Sequence, residues 1–271
     1  MQSVDQSAAV DQPAASSAGR PGFAGARVVV TGGTRGIGAG IARAFLRAGA
    51  DVLVCGRTEP AALPAADDRK AAFTKADVRD PEQARQLIAT ATERFGGVDV
   101  LVSNAGGSPE AAAATASPRF HAKIIELNLI APLHVAQAAN AVMQAQPGGG
   151  SIVMIGSVSG SRPSPGTAAY GAAKAGLHHL VTSLAIEWGP QVRINTVIPG
   201  FVATESPAEV YGDEDTAAAI AATVPLKRMA TPDDIAAACL FLASPGAAYI
   251  SGTSLTLHGG GERPAFHSVR P

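Results

Sequence analysis

Short runs of β-branched and aliphatic residues alternate along this chain with longer stretches whose apolar positions recur every three to four residues. Arg27-Val-Val-Val-Thr31 is the first such run, and the glycine-rich residues 32–38 follow at once. Helical periodicity then covers Ala39 to Ala48 and stops at Gly49. Asp51 to Cys55 predicts a second buried strand, and Ala71 to Lys75 a weaker third. Asp80-Pro81 supplies an N-cap and a first-turn proline for a helix from Pro81 to Phe95. A strand from Val98 to Ser103 precedes one long helix, expected from about Pro118 to Gln146. Three further strands are expected at Ser151 to Ile155, Val192 to Ile198 and Thr253 to Leu257. Helices from about Thr167 to Trp188 and from Pro232 to Ala243 alternate with them.

Strands and helices in alternation predict a parallel sheet with helices on both faces. The expected fold is α/β, a Rossmann-like doubly wound sheet of about seven strands in a single domain. Between the second and third strands stand Pro60, Pro64 and Asp67-Asp68. Those residues disfavour a full helix, so that crossover is expected to shrink to a turn. Residues 1–22, rich in Ala, Ser, Gln and Pro, read as a flexible tail without the basic start and apolar core of a secretory signal. Residues 23–271 then form the folded domain.

Bulk properties narrow the function. With 46% hydrophobic and 16% charged residues, the chain can bury a sizeable core. A net charge of −1 gives no support for nucleic acid or an anionic membrane as the main partner. No apolar run approaches a membrane span. Cys55 and Cys239 lie far apart in apolar surroundings, as core cysteines of a reducing compartment such as the cytoplasm do. The six histidines show no metal-ligand spacing, so no metal site is expected.

In an open parallel sheet, ligands bind beyond the carboxyl ends of the strands. The residues of chemical interest fall at such ends or on the helices that begin there. Thr31-Gly32-Gly33-Thr34-Arg35-Gly36-Ile37-Gly38 leaves a strand and enters a helix. Its Gly-x3-Gly-x-Gly spacing lets the backbone turn sharply and offers a pyrophosphate the amides of a helix N-terminus. The second strand ends in Gly56-Arg57, where an NAD site often has an acid for the ribose 2′-hydroxyl. Arg57 with Arg35 suits a 2′-phosphate instead, so NADP(H) is expected over NAD(H). Asp77-Val78 ends the third strand, and Ser103-Asn104-Ala105-Gly106 the fourth. Asn104 could hold a cleft wall through backbone hydrogen bonds. Asn128, polar amid apolar helix positions, must be buried and paired or functional.

Ser157 follows the run Ile152 to Gly156, and Tyr170 and Lys174 stand four apart on the next helix. Positions i and i+4 share a face, so the ammonium can lower the pKa of the phenol and make it a proton donor or acceptor. Serine, tyrosine and lysine so spaced suggest proton transfer at a carbonyl or alcohol oxygen. His258-Gly259-Gly260-Gly261 looks like a lipase oxyanion loop, but Gly156 to Gly160 has valine where the nucleophile elbow needs serine.

Together these residues resemble the short-chain dehydrogenase/reductase family in its compact single-domain branch. The likeness spans about Arg27 to Gly260. It rests on the glycine loop, Asn-Ala-Gly at 104–106, Asn128, Ser157, Tyr-x3-Lys at 170–174 and Pro199-Gly200. The resemblance implies Tyr170 as general acid/base, Ser157 on the substrate oxygen, Lys174 on the nicotinamide ribose, and Asn128 behind a proton-relay water. It also implies cofactor contacts from Gly32, Thr34, Gly36, Ile37, Gly38, Asp77, Val78, Asn104, Ala105 and Gly106, with Tyr170 and Lys174. Pro199, Gly200, Val202 and Thr204 would flank the carboxamide. The implied activity is an NADP(H)-dependent ketoreductase, alcohol dehydrogenase or 3-oxoacyl-thioester reductase on a small carbonyl or alcohol substrate. A homotetramer is implied, with a dimer as the alternative. A non-catalytic dinucleotide-binding protein and a nucleotide-sugar epimerase are the competing readings. Two departures stand out: Ser103 replaces the usual asparagine, and the substrate loop, about 201–228, is alanine-rich with Tyr211.

Overall fold

The computed structural model describes residues 22–205 and 212–262. Its strands are β1 (Arg27–Thr31), β2 (Asp51–Gly56), β5 (Ala72–Lys75), β6 (Val100–Ser103), β7 (Gly150–Ile155), β8 (Val192–Pro199) and β9 (Ser254–Leu257). They form one parallel sheet in the order β5-β2-β1-β6-β7-β8-β9. From β1 the chain winds outward one way to β5, and from β6 the other way to β9. The order therefore reverses between β1 and β6, where a doubly wound sheet opens a crevice.

Alternation along the strands sends successive side chains to opposite faces. Val29, Leu53, Leu101, Ile152 and Ile194 pack on one side with α2 (Pro81–Phe95), α4 (Ala131–Gln144) and α5 (Ala168–Trp188). Their neighbours Val28, Val30, Val52, Val54, Val102 and Val153 pack on the other. That second face is covered by α1 (Gly36–Arg47) and α7 (Pro232–Ala243). Gly40 lets these two helices touch: a Cβ there would stand 2.4 Å from the Pro232 side chain. Both cysteines are buried, which pushes the Cys55 thiol up to about 11 and Cys239 to about 12.

Three sequence expectations are corrected. The helix expected over Pro118 to Gln146 is not continuous: α3 (Pro118–Ile125) and α4 are joined by a π-turn at Glu126–Ile130. Pro132 has no N–H for the carbonyl of Asn128, and its ring crowds that carbonyl, so the turn widens. The Ala131 amide reaches back to Glu126 instead. Between β2 and β5 the crossover is not a bare turn but a small hairpin, β3 (Ala65–Ala66) against β4 (Arg69–Lys70). Within the loop expected at 201–228 lies a further helix, α6 (Glu214–Thr223), N-capped by Asp213. Tyr211 lies outside the described residues. The first helix also starts three residues before Ala39, because the glycine loop runs directly into it.

Candidate active site

The glycine loop turns at Gly32 and Gly36, both at positive φ (61° and 53°), which glycine alone adopts without strain. Gly38 lies so close to the loop that a Cβ would stand 2.3 Å from the Gly32 carbonyl oxygen. Arg35 occupies the N-cap of α1, and no side chain caps that helix there. By contrast Asp80, Ser117 and Thr231 cap α2, α3 and α7. An uncapped helix N-terminus behind a glycine turn is where a pyrophosphate binds.

Next to it, the crevice is stitched from both sides. Thr31 Oγ1 accepts the amides of Asn104 (2.9 Å) and Ala105 (3.0 Å). Asn104 returns its Nδ2 to the carbonyls of Thr31 (3.0 Å) and Gly32 (3.2 Å). β1 and β6 are thus locked at the point where the sheet order reverses. Ser103, at the position where the family has asparagine, is buried at the end of β6.

Asn128 is fully buried in the π-turn. Its Oδ1 accepts from Gly107 N (2.8 Å), and its Nδ2 donates to the carbonyls of Gly107 and Ile124 (both 2.9 Å). Gly106 is wedged beside it, since a Cβ there would lie 2.8 Å from Asn128 Oδ1 and 3.4 Å from Lys174 Nζ. Lys174 is only 3% exposed. Its Nζ donates to the Ile155 carbonyl at 2.8 Å and lies 5.7 Å from the centre of the Tyr170 ring. Burial pushes this lysine down to about 8. Ser157 stands one residue beyond Gly156, which follows β7, and its Oγ accepts from Ser159 N at 3.1 Å. Gly106 thus lies between Asn128 and Lys174, with Tyr170 beside the lysine and Ser157 just beyond the carbonyl the lysine holds.

The other expected cofactor residues line the remaining strand ends. Thr34 borders Gly56, so Arg35 and Arg57 flank the junction of glycine loop and β2. Both are exposed, and among the described residues neither forms a salt bridge. Asp77 is gripped by the guanidinium of Arg79, which holds its carboxyl below the usual range. Val78 beside it is buried. Pro199 and Val202 are buried, and Gly200 pairs with Leu257 through its amide. Thr204 closes over Gly36, where a Cβ would stand 3.5 Å from Thr204 Cγ2. The donors, the glycine cradle and the uncapped helix fit a dinucleotide laid across the sheet end.

The sequence reading passes over His178, four residues beyond Lys174, because it weighs histidines only as metal ligands. Its Nε2 faces the amide of Ser157 at 3.4 Å. Burial, and then the charge of Lys174, push it down to about 4. The i, i+4, i+8 spacing of Tyr170, Lys174 and His178 is the signal that could have found it.

The fold and this cluster define a class, and comparison with known proteins agrees. A family model described as Enoyl-(Acyl carrier protein) reductase matches residues 32–262. The chain belongs to the short-chain dehydrogenase/reductase family, oxidoreductases that work with a nicotinamide cofactor. It is 37% identical over 243 residues to an L-rhamnose 1-dehydrogenase (NAD(P)(+)) of Azotobacter vinelandii, covering 86% of this chain and 95% of that one. It is 36% identical over 239 residues to a 3alpha-hydroxysteroid dehydrogenase of Mediterraneibacter gnavus, covering 85% and 94%. A short-chain type dehydrogenase/reductase from Mycobacterium marinum superposes with a TM-score of 0.83 at 32% identity, covering 90% of this chain and 98% of that one.

Proposed function

We propose that this protein is an NADP(H)-dependent oxidoreductase that interconverts a carbonyl and a secondary alcohol on a small molecule. The observation that carries this reading is the buried Lys174 ammonium beside the Tyr170 ring, with Ser157 at the adjoining strand end. A bound nicotinamide supplies or takes up the hydride. Tyr170 gives its phenolic proton to the substrate oxygen during reduction and takes it back during oxidation. The Lys174 charge favours the tyrosinate and so lowers the cost of that transfer. The Ser157 hydroxyl holds the substrate oxygen and stabilises charge developing on it. Lys174 also serves the nicotinamide ribose. Asn128 commits its side chain to Gly107 and Ile124, so its role in a proton relay falls to its main-chain carbonyl, which Pro132 cannot claim.

NADP(H) is preferred because Arg35 and Arg57 flank the β2 end with no salt-bridge partner among the described residues. The named activities of the relatives, on a sugar and on a steroid alcohol, leave the substrate to a screen. The chain is proposed to act as a homotetramer.

The test is NADPH oxidation by purified protein against ketones, aldoses, oxosteroids and 3-oxoacyl thioesters. Tyr170→Phe should lower turnover by roughly 10²–10⁴-fold, the worth of general acid–base catalysis, while cofactor binding survives. Near-wild-type turnover in that variant would remove Tyr170 from the chemistry. NADPH binding without turnover on any substrate would favour the non-catalytic reading.

A further inference from the structure

We propose that His178 is a positioning residue that sets the Ser157 hydroxyl by accepting the Ser157 backbone amide. This inference rests on the proposed role of Ser157. Tyr170, Lys174 and His178 recur every four residues on α5, so they form one stripe along the helix. Lys174 Nζ donates to the carbonyl of Ile155, and His178 Nε2 accepts from the amide of Ser157. The two side chains hold the backbone on either side of Gly156. The loop in turn wraps the ring. A Cβ at Gly156 would stand 2.4 Å from His178 Nε2, and one at Gly160 would stand 2.8 Å from Cε1. Only glycine at both positions lets the chain close this tightly around an imidazole.

The consequence is a definite orientation for Ser157. Its amide is held by His178, its carbonyl accepts Gly160 N at 2.9 Å, and its Oγ accepts Ser159 N at 3.1 Å. With the amide and carbonyl fixed, the hydroxyl is carried on a backbone that cannot rotate freely. An aliphatic side chain at 178 would fill the space and leave the half-buried amide without its acceptor.

Accepting at Nε2 requires the proton to sit on Nδ1. NMR of the 15N-histidine-labelled wild type tests this without any variant having to fold in its place. His178→Gln identifies the resonances by their loss. At pH 7 the ring should be neutral with Nδ1 protonated; an Nε2–H tautomer or an imidazolium overturns the inference.

Kinetics supply the second arm. His178→Leu should lower kcat by about tenfold or more, the scale of a displaced reacting group, with NADPH affinity within twofold of wild type. His178→Gln, whose carbonyl oxygen can accept the same amide, should restore most of that loss. Unchanged kcat in His178→Leu, or equal loss in both variants with cofactor binding intact, refutes the positioning role. Ser157→Ala, measured alongside, separates the two ideas. If it keeps full turnover, the role of Ser157 itself fails. If it is inactive while His178→Leu is not, only the His178 inference fails.

Discussion

At the scale of residues, the buried Lys174 and half-buried His178 of α5 give the cofactor-free protein a signature in pH. Lys174 has a folded value of about 8 against an ordinary 10.5, lowered by burial. Between those values the unfolded chain binds the proton that the folded one has released, so stability rises with pH from about 8 to 10.5. His178 repeats the pattern lower down, about 4 against 6.5. Stability therefore falls as pH drops from 6.5 towards 4. Urea midpoints measured across pH should lose the upper rise in Lys174→Met and the lower fall in His178→Gln. Profiles that overlay the wild type would mean these groups are not buried as described. Lys174→Met should also weaken NADPH binding, if one ammonium serves both ribose and phenol as proposed. At the far end of the crevice, Arg57→Ala should cost NADPH roughly 1–3 kcal/mol of affinity, the scale of a lost charged hydrogen bond, and leave NADH nearly unchanged. Calorimetric titration of both nucleotides decides it, and equal losses would mean that Arg57 does not read the 2′ position. Tyr170, Lys174 and Ser157 were legible because their spacing states their geometry. His178 shares that spacing but was passed over, because its partners lie on a glycine loop that folds around it.

At the scale of elements, α7 shows how local sequence fixes a boundary that then positions a site. Thr231 Oγ1 accepts from Asp234 N, and Asp234 returns its carboxylate to Thr231 N at 2.7 Å, a reciprocal cap. Arg228 pairs with the same carboxylate and, with the two Thr231 bonds, holds it far below its ordinary range. The cap is followed by Pro232, which packs on Gly40 of α1. Thr231→Ala should therefore destabilise the protein by about 1 kcal/mol, the usual worth of an N-cap. Chemical denaturation measures it, and a change under a few tenths would show that Asp234 and Arg228 hold the turn alone. Thr231-Pro232 and Asp80-Pro81 announced their helices in sequence. The π-turn did not announce itself, although Pro132 was visible. A one-residue widening shifts the later positions around the axis, but apolar residues on both sides of Asn128 hide that shift in the sequence. The helix at Glu214–Thr223 was hidden for a different reason: its alanines carry no strong face, and none of its residues is buried.

At the scale of the whole molecule, the doubly wound parallel architecture follows from the alternation of strands and helices, so it could be read early, whereas the strand order came from the structure. Its two faces are filled by alternate residues of the same strands, which is why single apolar runs served both cores. Assembly is less readable, because an interface needs a second surface. Ile186 (86% exposed) lies in the last turn of α5, and Tyr249 stands fully exposed in the loop before β9. Gly252 contacts Ala185, which brings those two segments together. If this shared apolar surface is a subunit contact of the proposed tetramer, Tyr249→Asp should lower the assembled mass in sedimentation. An unchanged tetramer would place the contact elsewhere, and a wild-type monomer would end the proposal.

The end of β9 and the segment after it do more than finish the sheet. Gly200 hydrogen-bonds Leu257, Leu226 bonds Gly259, and Arg162, in the loop between Ser157 and Tyr170, pairs with Glu262 at 2.5 Å. Each of these partners is made by the ribosome well after the part it fastens. A nascent chain that stops short of residue 257 can pair six strands of the main sheet and pack most of both cores. It lacks the Glu262 partner of Arg162, in the loop that follows the serine. These fastenings of the cleft rim are thus the last to be completed in synthesis, after the contacts that hold Asn128, Ser157 and Lys174.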